Sequence, residues 1–540
     1  MNTLKINNQV VNLPAGFQIP IELNNPIFDK DIIQGEYSLP VTLNIDNTTI
    51  LAIGIEYLPD SEAMRVNFDA KLTISGSERP CKFKISKYSK TPNGMKLQGQ
   101  FLFNSSSFAN NINTIKLQEL LLETLNIPYP SIINSTLITA SHRFEFIKAA
   151  KSNSDFYNYV VAPLRNDTFF DGVNIQEYWQ NKWDPSYPNI SGLTGNYDFT
   201  IPDPDARDAF WTPFVYIRHI LKKIATHFML TPDLNEFDVD VELKQLVLYN
   251  NGDEFKEIVK PFGTFYAPPE IINLSNHVPA VTVSDFLLNL KKMFNLFIYF
   301  DEKKNKFIVK TLQQIINLKD EINWTLKVST YYDIEKVLDD KKLQLIRAND
   351  TADEFFATEK ETKHPEKDSE NVEKINFAIS KLREVIRVNG GDNYAVKTPI
   401  VRQQGEIGSF DKRAYSMKLM FYRGMVQTLG VQGNTTPSGE YPYLNGDSFD
   451  QYGNDIYNRS LDLDGDKGLY KQFHENWWSF YSKHRILTLT VTLTAAEIFD
   501  LDWTKKVRIH NSLFYIKSIK GNIGKAIENN MTVELVKFEN

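Results

Sequence analysis

"ILTLTVTLT", residues 486–494, alternates aliphatic and hydroxyl side chains along nearly its whole length. A two-residue period puts the aliphatic set on one face of an extended strand, and threonine and valine favour that conformation. Immediately downstream, Thr494 followed by Glu497 is the pattern of a helix capping box and predicts a short helix over "AAEIFDL". "VRIHNSLFYIKSIKG" (507–521) and "MTVELVKF" (531–538) then supply three more strands, so a sheet or barrel segment closes the chain.

The other end reads the same way. "LPVTLNI" (39–45), "AMRVNFDAKLTIS" (63–75), "CKFKISKYS" (81–89) and "MKLQGQFLF" (95–103) alternate with turn residues between them. Cys81, Phe83 and Ile85 share one parity while Lys82, Lys84 and Ser86 share the other, predicting one buried and one wet face with Cys81 in the core.

Between these ends the pattern is mixed. "TIKLQELLLETLN" (114–126) has helical spacing, and 127–205 is rich in Pro, Asn, Tyr and Trp without a sustained period, which reads as loops or an insertion. In "WTPFVYIRHILKKIATHFML" (211–230), Thr212 as N-cap, Pro213 in the first turn and Phe214, Ile217, Leu221, Ile224 and Phe228 at helical spacing predict a helix over 212–230. "HVPAVTVSDFLLNLKKMFNLFIYFDEKKNKFIVKTL" (277–312) predicts a helix capped by Thr282 and Asp285, followed by a hairpin with a charged turn. The charge-dense stretch 353–374 reads as a solvated loop or flap, and 430–468 as irregular chain.

These shifts divide the 540 residues into five units: a β-barrel-like module at 1–115, a helix with a loop-rich insertion at 116–205, an α+β accessory domain at 206–350, a second β module at 351–480 and a β segment at 481–540. The fold class is α+β, predominantly β and multidomain. With 42% hydrophobic and 24% charged residues the chain has the composition of a folded protein.

Composition also removes function classes. A formal charge of −7 gives no positive field to hold nucleic acid. Cys81 is the single cysteine, so there is neither an internal disulfide nor a thiolate metal cluster. The opening "MNTLKINNQVVNLPAGFQIP" has no continuous apolar run, which predicts a chain made without an export signal, and no stretch is apolar for long enough to predict a spanning helix.

Chemical motifs are absent. There is no glycine-rich phosphate loop, no HExxH and no GxSxG. His219 and His227 stand eight residues apart, about 12 Å along a helix at 1.5 Å per residue and too far to share a metal. Asp203 and Asp205 flank Pro204 in a turn and make a poor acid–base pair. The most site-like stretch is "LDLDGDKGLYKQF", where Asp462, Asp464 and Asp466 take the first, third and fifth places of a calcium loop. Lys467 and Phe473 stand where glycine and a bidentate glutamate are required, and the glycine is displaced to Gly468, so this is a weak metal candidate and otherwise an Asp/Gly turn. No cofactor is expected. Trp179, Trp183, Trp477 and Trp478 could stack on sugars or anchor a protein interface, and without a basic groove the interface is favoured.

Read in order, "NPIFDKDIIQGEYSLPVTL" (25–43), "WTPFVYIRHILKK" (211–223), the 277–312 segment and "DGDKGLYKQFHENWWSFYSKHRILTLTVTLTAAEIFDLDWTKKVRIHNSLFYIKSIKG" (464–521) resemble the tail hub, or baseplate hub, proteins of tailed phages and prophages that infect Bacteroidota. The resemblance implies two tube-like β-barrel modules per subunit and a homotrimeric ring at the distal end of the virion tail. It implies as partners the tail tube or distal tail protein, tip, spike or fibre proteins, and the tape measure protein in the lumen, with DNA passing through unbound during ejection. It implies no enzymatic activity, and no catalytic or cofactor-binding residue is assigned. An acidic balance suits a channel that DNA crosses without sticking. The alternative from a different class is a surface or periplasmic carbohydrate-binding protein, and an enzyme resting on carboxylate abundance alone is a third.

Overall fold

The computed structural model describes residues 2–13, 16–29, 33, 36–52, 67–92, 94–120, 122–126, 145–166, 179–181, 183–184, 196–197, 209–210, 212–253, 256–260, 263–267, 271–336, 343–347, 353, 362–364, 371–375, 377–379, 381–389, 392–402, 406–407, 417–430, 439–482, 485–524 and 528–538. The chain is α+β, predominantly β, built from several sheets of which the largest is a curled half-barrel.

That largest sheet has 14 strands and draws them from both ends of the chain. Along it run Gln9–Asn12, Thr3–Ile6, Asn67–Ile74, Ser77–Thr91, Gly94–Leu102, Glu36–Ser38, Ile19–Asn24, Ser512–Ile523, Glu528–Phe538, Arg485–Thr494 and Val328–Lys336. Val41–Asp46 pairs with Gly94–Leu102, while Lys506–Ile509 links Glu321–Asn323 to Ser512–Ile523. The amino-terminal and carboxy-terminal halves join where Ile19–Asn24 runs antiparallel to Ser518–Ile523.

Alternation explains why these segments are strands. In Val41–Asp46 every second residue is buried and the others are exposed. Cys81, Phe83 and Ile85 are buried as their parity predicts, with the Phe83 and Phe101 rings 5.0 Å apart. Leu489, Val491 and Leu493 are likewise inside, each burial contributing about 1.5–3 kcal/mol. A bulge between Ile516 and Ser518 interrupts the ladder just before the strand turns to its amino-terminal partner. Such an extra residue bends a strand and increases its twist.

The helix–hairpin module lies against this sheet. Thr282 caps the Val283–Phe294 helix through a bond from the Asp285 N–H to its Oγ1 at 3.0 Å. Asn295 ends the helix in the left-handed conformation. The strands Leu296–Asp301 and Lys306–Thr311 pair antiparallel, and Leu296–Asp301 is buried at every position. Thr494 and Glu497 form the expected reciprocal cap on Ala495–Phe499.

Three local expectations differ from the structure. The helix expected over 212–230 runs Ile217–His227, and Phe214–Tyr216 is a strand pairing with Tyr159–Val160 and Leu246–Leu248. Phe214, Val215 and Tyr216 have no exposed face, and cross-strand packing of aromatic and β-branched side chains outweighs helical spacing there. Thr212 caps nothing; its Oγ1 donates to the Gly252 carbonyl at 2.6 Å. The helix expected near 114–126 lies upstream at Ser105–Thr114, followed by a single 3-10 turn at Leu117–Glu119 and a strand at Thr124–Asn126. Within the 353–374 stretch, Thr362–His364 and Asn371–Ile375 are strands on either side of Leu343–Arg347, and 354–361 and 365–370 lie outside the described residues.

Two further sheets of 6 strands each occupy the middle of the chain. One combines Tyr159–Val160, Phe214–Tyr216, Leu246–Leu248, Phe377–Ile379, Met417–Gln427 and Glu440–Asn445; the other is centred on Asp392–Val401. Among the described residues no helix is long and apolar enough to cross a membrane.

Candidate functional site

The sheet shared by the two chain ends is closed by a buried polar clasp that no local motif announces. Glu36, on the three-residue strand Glu36–Ser38, is 2% exposed. One of its carboxylate oxygens accepts from the Tyr299 hydroxyl at 2.6 Å and from the Trp503 indole N–H. The other accepts from Asn104 Nδ2 at 2.6 Å and from the Arg79 guanidinium. The donors come from the amino-terminal strands, the hairpin and the segment after the capped carboxy-terminal helix.

The clasp has its own second layer. The Arg79 guanidinium lies 4.7 Å from the centre of the Phe103 ring and 5.5 Å from that of Phe499. Burial, and then the neighbouring Glu36 charge, push the Tyr299 hydroxyl well above its ordinary value, so it stays a donor. Ser105 and Ser106 accept backbone N–H groups of Phe300 and Glu36, both at 3.1 Å. These interactions explain why the hydroxyl-rich first turn of the Ser105–Thr114 helix is buried.

A bracket beside the clasp uses Asn25. Its Nδ2 donates to the Trp503 carbonyl at 3.2 Å and the Ile516 carbonyl at 2.7 Å, and its Oδ1 accepts from the Ile27 N–H at 3.0 Å. Lys291, from the 283–294 helix, reaches the carbonyls of Pro26 and Asp29. Phe28 packs against Trp477 and Tyr481, at 5.7 and 6.1 Å between ring centres. Segments 25–29, 291–299 and 477–516, far apart in the chain, thus meet at one place.

The Asp462, Asp464 and Asp466 loop closes on its own backbone. Ser460 N donates to Lys467 O at 2.8 Å, Leu469 N to Asp462 O at 2.8 Å and Gly468 N to Gly465 O at 3.0 Å. Leu461, Leu463 and Leu469 point inward and are buried. Asp462 accepts from the Ser460 hydroxyl at 3.2 Å and lies 3.6 Å from Arg347, while Lys467 pairs with Asp455 at 2.8 Å. Among the described residues no three His, Cys, Asp or Glu side chains converge as a metal site. His219 is buried and held down to about 4, chiefly by burial and then by Lys223 and Lys222; His227 packs on Phe228. Asp203 and Asp205 lie outside the described residues.

Of Trp179, Trp183, Trp477 and Trp478, three are not placed to stack on a sugar or to anchor an interface. Trp183, Trp477 and Trp478 are buried, and the last two sit on the Glu475–Ser482 helix. Their rings are occupied by the core and are not presented to a sugar. Trp179 lies on the short strand Trp179–Gln180.

Two buried cations in the middle of the chain also escaped sequence reading. Lys418 pairs with Asp353 at 2.7 Å, both side chains being 0% exposed. Arg423 is held by Glu242 and Asn445, each at 2.7 Å, with the Phe421 and Tyr457 rings 4.3 and 4.1 Å away. Only spacing in the folded chain pairs these residues, so a linear scan has no signal to find.

The fold and this polar framework define a predominantly β, multi-sheet scaffold whose two chain ends are woven into one wall. No protein-family model matches the chain, and no curated protein matches it in sequence. Among solved structures it is similar to the 43 kDa tail protein of prophage MuSo2 from Shewanella oneidensis, with 7% identity, a TM-score of 0.35, and coverage of 99% of this chain and 95% of that one. It is also similar to the tail protein from Neisseria meningitidis MC58, with 8% identity, a TM-score of 0.37, and coverage of 100% and 96%.

Proposed function

We propose that the chain is a non-enzymatic structural protein of a phage virion, the hub at the distal end of the tail. In this reading it forms a homotrimeric ring, two tube-like modules per subunit, that joins the tail tube to tip or spike proteins and surrounds the DNA channel. The observation that carries it is the meeting of segments 25–29, 291–299 and 477–516 beside one curled sheet built from both chain ends. A sheet built from both chain ends is suited to load-bearing, because separating its halves breaks the Ile19–Asn24 ladder and the buried hydrogen bonds from Trp503 and Asn25 and exposes apolar surface. The formal charge of −7 suits a lumen from which DNA must slide free.

The test is the mass of the purified protein by native mass spectrometry, with negative-stain images of the particles. A three-fold ring with an axial opening wide enough for duplex DNA is expected. A protein that stays monomeric at all concentrations, and that antibodies fail to find on isolated tails, would overturn the proposal.

A further inference from the structure

The carboxy-terminal strands of the large sheet end around a groove of about 670 Å³. Ile486, Leu489, Ile509 and Phe514 form its apolar floor. Arg485, His510 and Lys537 contribute nitrogen groups to the lining, which contains no aspartate or glutamate. This is a local reversal in a chain whose formal charge is −7.

One wall of the groove is the turn between Glu321–Asn323 and Val328–Lys336. Leu326, at its tip, is 98% exposed. The turn around it is firmly held: Trp324 N donates to Arg508 O at 2.9 Å, Lys327 N to Trp324 O at 2.8 Å and Thr492 N to Lys327 O at 2.9 Å. The His510 N–H donates to Thr325 Oγ1 at 2.9 Å, and the Trp324 side chain is buried. The fold therefore displays a leucine on a hydrogen-bonded turn at the edge of an apolar groove. Thr325, the residue before Leu326, lines the groove.

We propose that this groove and Leu326 receive an extended segment of another protein, one with aliphatic side chains flanked by carboxylates. The floor sets the aliphatic requirement and the cationic lining sets the charge. The volume falls in the range of ligand pockets, about 300–1,000 Å³. Leu326 follows the lining residue Thr325 out onto the turn, so an extended polypeptide lying in the groove can reach over it where a small molecule in the groove cannot. The inference stands on the groove itself and does not require the tail assignment.

The test is fluorescence anisotropy of the full chain with two labelled peptides, Ser-Asp-Leu-Glu-Ile-Asp-Leu-Ser and its counterpart with lysine at each acidic position. The acidic peptide is expected to bind saturably and about tenfold more tightly than the basic one, with the preference fading as salt rises. Arg485→Glu and Leu326→Ser, both at exposed positions, should each weaken it about fivefold or more without changing the thermal melt. Equal binding of the two peptides, no binding, or indifference to both substitutions would overturn the proposal. Displacement of the peptide by dodecanoate with full occupancy of the groove would reassign it to a small amphipathic anion. Loss of an oligomer in Arg485→Glu, seen by light scattering, would reassign it to a second copy of this chain; either result overturns the peptide assignment.

Discussion

Trp503 donates its indole N–H to the carboxylate of Glu36, a residue 467 positions earlier in the chain. The bond ties the carboxy-terminal segment to an amino-terminal strand, and Tyr299 completes the link to the hairpin between them. Removing the carboxylate leaves Arg79, 3% exposed, as a buried charge without its partner. Glu36→Ala should therefore cost about 3–5 kcal/mol, whereas Trp503→Phe, which deletes one donor, should cost about 1–3 kcal/mol. Urea unfolding of the two variants checks the order; equal losses would remove the ionic role of Glu36.

Lys418 and Asp353 offer a cleaner cycle, because both side chains are fully buried. Lys418→Met should lose about 3–5 kcal/mol by leaving the Asp353 carboxylate, which also accepts the Arg402 N–H at 2.9 Å, without its counter-charge, and Lys418→Met with Asp353→Leu should recover part of it. The double-mutant coupling energy from chemical denaturation is the readout, and additive losses would contradict the pairing.

His219 predicts a pH dependence. Its folded pKa is held down to about 4 by burial, then by Lys223 and Lys222, from an ordinary value of 6.5. A depressed folded pKa contributes stability above the unfolded value and loses it as pH falls through the folded value. Stability should thus decline from about pH 6.5 toward 4, by on the order of 3 kcal/mol for this group alone. His219→Leu should flatten that part of the curve, measured as melting temperature against pH.

Gly468 is required by close approach. A Cβ there would lie 2.0 Å from the Asp464 carbonyl oxygen, so Gly468→Ala must open the 460–469 turn. A loss of about 1–3 kcal/mol is expected, with faster proteolysis around residue 465 as the local readout.

Cys81 should be inert in the folded protein. The thiol is fully enclosed, and burial, followed by the Glu302 charge, pushes its pKa far up, leaving no thiolate to react. Ellman's reagent should report one thiol only after denaturant is added; rapid labelling of the native chain would place Cys81 elsewhere.

What the sequence determined by itself lies in features decided within a turn or a strand. The alternation of 486–494, the parity of Cys81, Phe83 and Ile85, and the caps at Thr282 and Thr494 all depend on neighbours fewer than ten residues away, and the structure shows each of them. Tertiary structure decided the rest. Phe214–Tyr216 became a strand because partners at 159–160 and 246–248 offered an enclosed ladder, and the first turn of the Ser105–Thr114 helix is buried because the Glu36 and Phe300 N–H groups use its hydroxyls. The Glu36 clasp and the Lys418–Asp353 pair have no linear signature at all. Burying a charge is tolerable only when its partners arrive with it, and those partners, from 43 to 467 residues away, are brought together by folding rather than by spacing along the chain.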